Sequence, residues 1–352
     1  MADDGFALDR RSLIAGIGVS FAVPAAATRV AAEGVAASSD GGAFALTAGG
    51  GARPLAIGDG LEWVVPDGAG GRLAVFTRKG GGRLIGFDRG WRPRGEATTG
   101  GGEPVHLAIA PDRSVAAVAD YSGGTVSLHR LRDGVPGAAT LIRHRGSGPD
   151  ASRQAGPHPH WVGFDADGRW LYVVDLGADA VVAHRIEQGR AVETRIAWQA
   201  PAGSGPRHLA WHPTKRLAYV VSELVSTLTT LRIESDGMLA ALDVQPTLPA
   251  GSKGYVGHIA VDPQGRRLYA SNRGPNTIAV FALDDPLRPR LIEQAPCGGD
   301  WPRFFLLRPE AGEMLVANER SPAMAVLPLG RDGRLGPART GPAVPKARFA
   351  AW

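Results

Sequence analysis

The chain is predicted to be all-β, a single seven-bladed β-propeller of four-stranded antiparallel blades whose ring is closed by both termini. Three features predict it: a strand motif with a period near fifty residues, four strand segments in each period, and a C-terminal copy lacking partners of its own. The clearest motif copies are Pro104-Val-His-Leu-Ala-Ile-Ala-Pro-Asp, Pro159-His-Trp-Val-Gly-Phe-Asp-Ala-Asp-Gly, Pro206-Arg-His-Leu-Ala-Trp-His-Pro, Val256-Gly-His-Ile-Ala-Val-Asp-Pro-Gln-Gly and Pro302-Arg-Phe-Phe-Leu-Leu-Arg-Pro. They start 55, 47, 50 and 46 residues apart, a period that belongs to propellers rather than to shorter helical repeats.

The elements follow in order. Leu61-Glu-Trp-Val-Val-Pro-Asp-Gly with Gly71-Arg-Leu-Ala-Val-Phe-Thr is an earlier, degenerate copy of the first hairpin. In each copy a first strand leads to an Asp/Gly turn and a second apolar strand returns. Thr125-Val-Ser-Leu-His, Ala180-Val-Val-Ala-His, Ser226-Thr-Leu-Thr-Thr-Leu, Thr277-Ile-Ala-Val-Phe and Met324-Ala-Val-Leu-Pro are third strands. Asp236-Gly237 and Asp332-Gly333 supply tight turns after two of them. Pro345-Lys-Ala-Arg-Phe-Ala-Ala-Trp352 reads as one more inner strand, with residues 43–57 as its partners, and this closure removes a free sheet edge. No stretch carries a helical period of useful length.

Composition fits that architecture. Of 352 residues, 49 are Gly and 27 are Pro, as many tight turns require, while 44% are hydrophobic, too many for a disordered chain. The net charge of +5 comes from scattered arginines with no basic stripe, which argues against a nucleic-acid partner. The single cysteine, Cys297, excludes an intramolecular disulfide and a paired-cysteine metal or redox site, and reads as a small hydrophobe.

Residues 1–27 are expected to be a twin-arginine export signal. Arg10-Arg11 precede a weakly apolar run from Ala15 to Val23, and Pro24-Ala-Ala-Ala27 is a small-residue processing site. Asp3, Asp4 and Asp9 make the start unusually acidic for such a signal. The run is too short and too rich in glycine for a membrane span. The expectation is a periplasmic or secreted protein, exported by the twin-arginine machinery and free of the membrane once cleaved. Residues 28–42 read as a flexible leader and 43–352 as the propeller.

Stacking the copies locates candidate functional residues. The position after the leading residue holds Val105, His160, Arg207, Gly257 and Arg303, and the next holds His106, Trp161, His208, His258 and Phe304. The second strands end in Asp120-Tyr121, Asp175-Leu176, Ser222-Glu223, Asn272-Arg273 and Asn318-Glu319. The first strand runs out and the second comes back, so both positions share one face of the disc. His160, Arg207, Arg303, Glu223, Arg273 and Glu319 should therefore gather at one mouth of the central channel, a pocket for an anion and a proton transfer.

Asp120, Asp175, Asn272 and Asn318 recur in one column, as do His106, His208 and His258, which favours structural hydrogen bonding there. His160, Arg207, Glu223 and Arg273 break the repeat and are the candidates for chemistry. His158 and His160 form an H-x-H pair, which in a strand places both on one face, with no third metal ligand at an obvious spacing. No nucleophile elbow is present.

Gly205-Pro-Arg-His-Leu-Ala-Trp-His-Pro213, Ala218-Tyr-Val-Val-Ser-Glu-Leu-Val-Ser-Thr227, Leu268-Tyr-Ala-Ser-Asn-Arg-Gly274, Pro157-His-Pro-His160, Leu171-Tyr-Val-Val-Asp-Leu-Gly-Ala-Asp179 and Leu315-Val-Ala-Asn318 resemble segments of the seven-bladed propeller lactonases. That family includes the cycloisomerase-type 6-phosphogluconolactonases and the fungal carboxymuconate-lactonizing enzymes. The resemblance is strong from about residue 100 to 335. It implies hydrolysis or reversible formation of a lactone, with a small lactone or anionic sugar acid as partner and no cofactor or metal. Its histidine, two arginines and glutamate fall on His160 (or His158), Arg207, Arg273 and Glu223. Arg207 and Arg273 would hold the substrate's anionic group or developing oxyanion. Glu223 or His160 would be the general base. Arg303, Glu319, His158, His208 and His258 are the further substrate-binding candidates. Cycloisomerisation of an unsaturated diacid and a non-catalytic exported binding module are the alternatives.

Overall fold

The computed structural model describes residues 34–352; the export signal expected at residues 1–27 lies outside them. Seven four-stranded antiparallel sheets form the ring. We number the blades along the chain: blade 1 is 61–98, blade 2 is 104–143, blade 3 is 159–199, blade 4 is 206–246, blade 5 is 255–296, and blade 6 is 302–340. Blade 7 takes its innermost strand from Ala347–Ala351 and its outer three from Gly34–Ser38, Ala43–Leu46 and Ala52–Pro54. Both ends of the described chain thus close the ring, as the sequence predicts. The reading of 28–42 as a leader is corrected from residue 34 onward, because Gly34–Ser38 is a fully buried strand paired with Ala347–Ala351; residues 28–33 lie outside the described residues.

Within each blade the second strand is the hydrophobic heart. Val115–Asp120, Trp170–Asp175 and Leu217–Ser222 are buried at every position, since each lies between two strands of its own sheet and between the faces of two neighbouring blades. In outer strands such as Arg190–Gln199 the first seven residues alternate between exposed and half-buried, the pattern of a sheet with one wet side. Leading prolines sit at the start of inner strands, where no ladder N–H is needed.

The recurrent polar column fastens blade to blade. Asp120 Oδ1 accepts a 2.8 Å hydrogen bond from Thr99, and Asn272 Nδ2 donates to the Thr247 carbonyl at 2.7 Å. Asp175 accepts from the His158 amide at 2.7 Å and contacts His144 Nδ1 at 2.8 Å. Asn318 accepts from Cys297 Sγ at 3.2 Å. Each partner lies on the segment leading out of the preceding blade. Tyr219 and Tyr269 add ties further out, donating to the Pro286 and Gly333 carbonyls of the following blade at 2.8 Å each.

Candidate functional site at the hub mouth

Every blade carries a β-bulge at the start of its inner strand. The register slips between Leu61 and Trp63, Pro104 and His106, Pro159 and Trp161, Pro206 and His208, Val256 and Ile259, and Pro302 and Phe304. In blade 7 it slips where Phe349 and Ala347 face Ala37 and Ser38. The extra residue of a bulge is unpaired and its side chain is re-aimed. Here the extra residues are Glu62, Val105, His160, Arg207, Arg303 and Arg348, with Gly257 at the equivalent place in blade 5. The first six line one cavity at the hub, floored by Trp63, His208, Phe304 and Phe349. Gly257 brings no side chain to the hub, and its neighbours crowd the space one would need. A Cβ there would lie 2.8 Å from Ser271 Oγ and 3.0 Å from the Pro302 and Arg303 carbonyl oxygens, and the Gly257 carbonyl accepts from Arg207 Nη1 at 2.5 Å.

Glu223 is the electrostatic centre. It follows the second strand of blade 4, held by its amide to the Gly205 carbonyl at 2.7 Å. Arg153 Nη2 donates to its Oε1 at 2.7 Å. Arg207 Nε and Arg273 Nη2 lie 2.7 and 3.0 Å from Oε2. Burial alone would push the Glu223 carboxyl up; the charges of Arg273 and Arg207, with smaller contributions from His160 and Arg153, hold it well below the usual carboxylate range. Burial lowers Arg207 to about 9, against the pull of Glu223 and with the repulsion of Arg273 and Arg303. Burial likewise lowers Arg273. Five guanidinium groups (Arg153, Arg207, Arg273, Arg303, Arg348) meet three carboxylates (Glu62, Glu223, Glu319) around this opening, an excess of two positive charges. Such a mouth attracts anions.

The imidazoles beneath are neutral. Burial first, then the Arg207 charge, hold His160, His208 and His258 well below 6.5, and the same causes lower His106 to about 3. Arg207 Nη1 lies 3.1 Å from His208 Nε2, and His208 Nδ1 lies 2.9 Å from His258 Nδ1. Arginine only donates, so His208 accepts at Nε2 and donates from Nδ1, and His258 accepts at Nδ1. His160 contrasts with these two: its buried Nδ1 has no hydrogen-bond partner, and the same is true of Arg273 Nε, whereas Arg207 Nε faces Glu223 Oε2. Unpartnered buried polar atoms are rare, and two of them share this one opening.

The structure brings His160, Arg207, Glu223 and Arg273 together, with Arg303 on the cavity wall and Glu319 3.4 Å from it. His208 reaches the cavity, whereas His258 lies among the supporting rings, its own centred 4.2 Å from that of Phe304. His158 precedes the strand that begins at Pro159, so alternation along a strand does not govern it. It stacks on Tyr121, centroids 4.4 Å apart, with Nδ1 2.9 Å from the Tyr121 carbonyl. No group of three or more His, Cys, Asp or Glu side chains among the described residues is arranged to hold a metal ion.

Sequence reasoning missed Glu62, Arg348 and Arg153. Glu62 and Arg348 occupy the bulge position of the two least regular copies, so stacking those copies too would have found them. Arg153 comes from the connection between blades 2 and 3, which has no counterpart in the repeat. Gln154 anchors that connection, donating to the Leu176 carbonyl at 2.8 Å and to Asp179 at 2.7 Å.

Comparison with known proteins fits this picture. A 6-phosphogluconolactonase of Bacillus subtilis is 29% identical over 263 residues, covering 72% of this chain and 72% of its own. The periplasmic gluconolactonase of Pseudomonas aeruginosa superposes with a TM-score of 0.79 at 25% identity, over 91% of this chain and 98% of that one. A putative 6-phosphogluconolactonase of Bacteroides uniformis gives 0.78 at 26% identity, over 91% and 98%. The family described as "Lactonase, 7-bladed beta-propeller" matches residues 65–352, and the chain belongs to that seven-bladed β-propeller lactonase family.

Proposed function

We propose that the protein hydrolyses a sugar-type lactone at the hub mouth. The observation that carries this reading is the buried His160–Arg207–Glu223–Arg273 cluster, with an unpartnered imidazole nitrogen inside an excess of positive charge. The hub cavity has a volume of about 20 Å³, room for one water molecule but not for a lactone ring. The sequence points to chemistry within the channel. The dimensions favour a water in the hub and a lactone lying across the mouth above it.

His160 is the better base of the two candidates. Glu223 is committed to three guanidinium groups and is a weak proton acceptor, whereas His160 is neutral with Nδ1 open. In the proposed reaction His160 Nδ1 takes a proton from the water as its oxygen bonds to the lactone carbonyl carbon. The carbonyl oxygen becomes an oxyanion beside Arg207 and Arg303, an interaction typically worth on the order of 3 kcal/mol per donor. When the tetrahedral centre collapses, the ring C–O bond breaks and the leaving alkoxide takes the proton back from His160. Glu223 fixes Arg207 and Arg273 and offsets their charge.

The export signal expected at residues 1–27 would place this chemistry in the periplasm, and a relative of similar structure is named a periplasmic gluconolactonase. That combination favours an unphosphorylated lactone. The test is hydrolysis of glucono-δ-lactone and of its 6-phosphate by the purified protein, with the product identified. Formation of the open-chain acid supports the reading, and the absence of turnover on any lactone defeats it.

A further inference from the structure

Beside the hub mouth, between blades 4 and 5, lies a second and much larger depression of about 530 Å³. It begins where the catalytic cluster ends. Its walls include Val225 and Ser226, just after Glu223, and Gly274, just after Arg273. Tyr255 and Trp301 face it as well, and the Arg273 guanidinium sits 5.9 Å from the Tyr255 ring and 5.6 Å from the Trp301 ring. Nothing in the reaction proposed above uses this space, and one sugar lactone does not fill it.

Two features mark it as a built surface. Trp301 sits at φ +66°, a conformation that side-chain-bearing residues adopt at a cost. It is held there by its amide donating to Asn276 Oδ1 at 2.9 Å, and Asn276 itself has φ +58°. Arg320 stacks on the Trp301 ring at 3.5 Å and fixes its plane. Second, Tyr255 and Val225 are 40% and 51% exposed at this wall, with the Ser252 and Lys253 side chains beside them. Aromatic faces flanked by hydroxyl, ammonium and backbone groups suit a pyranose ring. Its C–H face stacks on the aromatic and its hydroxyls reach the polar neighbours.

We infer that this depression is a second sugar subsite, and that the preferred substrate is an aldonolactone bearing a further pyranose unit. The inference rests on the lactonase reading. The lactone would lie at the hub mouth and the attached sugar on the Tyr255–Trp301 wall. Binding energy from this remote ring can be used at the reacting centre, so a substrate lacking it loses kcat as well as KM.

The experiment compares cellobiono-δ-lactone with glucono-δ-lactone in the wild-type protein and in Val225→Arg, which fills the depression from its exposed rim. Wild type is expected to favour the disaccharide lactone by about tenfold or more in kcat/KM. Val225→Arg should abolish that preference and leave gluconolactone turnover unchanged, and Tyr255→Ala should reduce the preference in the same direction. Equal kcat/KM for the two lactones in wild type, or an equal loss on both in Val225→Arg, overturns the subsite. If neither lactone is hydrolysed, the lactonase reading fails separately. Calorimetric binding of cellobionic acid then decides the subsite: binding that Val225→Arg removes supports it, and no binding overturns it.

Discussion

Blades 2 and 4 have the same backbone and opposite chemistry. In blade 2, Pro104 pairs with Asp120 and His106 with Ala119; in blade 4, Pro206 pairs with Ser222 and His208 with Val221. Both bulge at the intervening residue. Blade 2 puts Val105 there and follows its second strand with Tyr121. Blade 4 puts Arg207 there and follows with Glu223. Val105 and Arg207 are 8% and 2% exposed, so each is withdrawn from water, but only the arginine loses hydration that its neighbours must replace. The bulge fixes where a side chain points, and its identity decides whether the fold bears a cost there. A buried guanidinium at a position that accepts valine is evidence of selection for something other than stability.

The comparison fails most completely if bulge residues prove interchangeable, so the sharpest tests write blade 2 into its neighbours. His160→Val should lower kcat by about 10² to 10⁴ if His160 is the general base, with the circular dichroism spectrum and Tm of a folded propeller. The wild-type pH profile gives a second readout. Burial and the Arg207 charge hold His160 well below 6.5, so kcat/KM should stay level down through pH 6.5 and fall only in more acid solution. A fall centred above pH 6.5 would remove His160 from this role. Arg207→Val should lower kcat/KM by about 10² to 10³, the range for a lost oxyanion donor, while Glu223 keeps Arg153 and Arg273. Val105→Ala, the mirror control in blade 2, should leave turnover unchanged.

A smaller and more diagnostic effect concerns two carboxylates whose pH dependences run in opposite directions. Burial pushes Asp120 up to about 7, against the Thr99 hydrogen bond. The folded state therefore holds a proton that the unfolded chain has released, and Asp120 costs stability progressively as pH rises from about 3.8 to about 7. Glu223 is held low, so its contribution is present above about 4.5 and is lost as pH falls through its folded value. Asp120→Asn should therefore raise stability at neutral pH and flatten the decline between pH 4 and 7 in urea titrations. Glu223→Gln should destabilise at neutral pH by on the order of 3 kcal/mol, because it leaves guanidinium groups buried without a counter-charge. Loss of stability in both variants at pH 7 would mean that the two columns are not different in kind.

How much of this was legible in the sequence follows from what each residue must do. The blades were legible because second strands buried on both faces need unbroken apolar runs, and Leu171-Tyr-Val-Val-Asp or Ala218-Tyr-Val-Val-Ser are such runs. The bulge column was legible wherever a proline marked the strand start, as at Pro159, Pro206 and Pro302. It was hidden at Glu62, which follows Leu61, and at Arg348, whose copy has its partners some three hundred residues away. Gly34-Val-Ala-Ala-Ser38 reads as part of a flexible leader because its residues are small. They are small because the space is tight: a Cβ at Gly34 would come within 2.5 Å of the Trp352 ring. Arg153 was not legible at all, since nothing local announces that a connecting segment will reach Glu223 across 70 positions of sequence.

The smallest effect tests whether the far side of the mouth acts only through its charge. Arg348 pairs with Glu62 there, and burial lowers its guanidinium to about 10. Arg348→Gln alone reduces the positive excess at the opening by one. It should raise KM for a phosphorylated or carboxylated lactone by about threefold, the scale of one partly screened charge, and leave KM for neutral gluconolactone unchanged. The double variant Glu62→Gln with Arg348→Gln restores the excess and should restore KM for the anionic lactone, since removing both members of an ion pair leaves no unpaired charge behind. Raising the salt concentration should shrink the single variant's effect and leave the double variant unmoved. If the single variant instead raises KM equally for charged and neutral lactones, Arg348 touches the substrate directly. Blade 7 then belongs with blade 4 in bearing a residue for binding, rather than with blade 2.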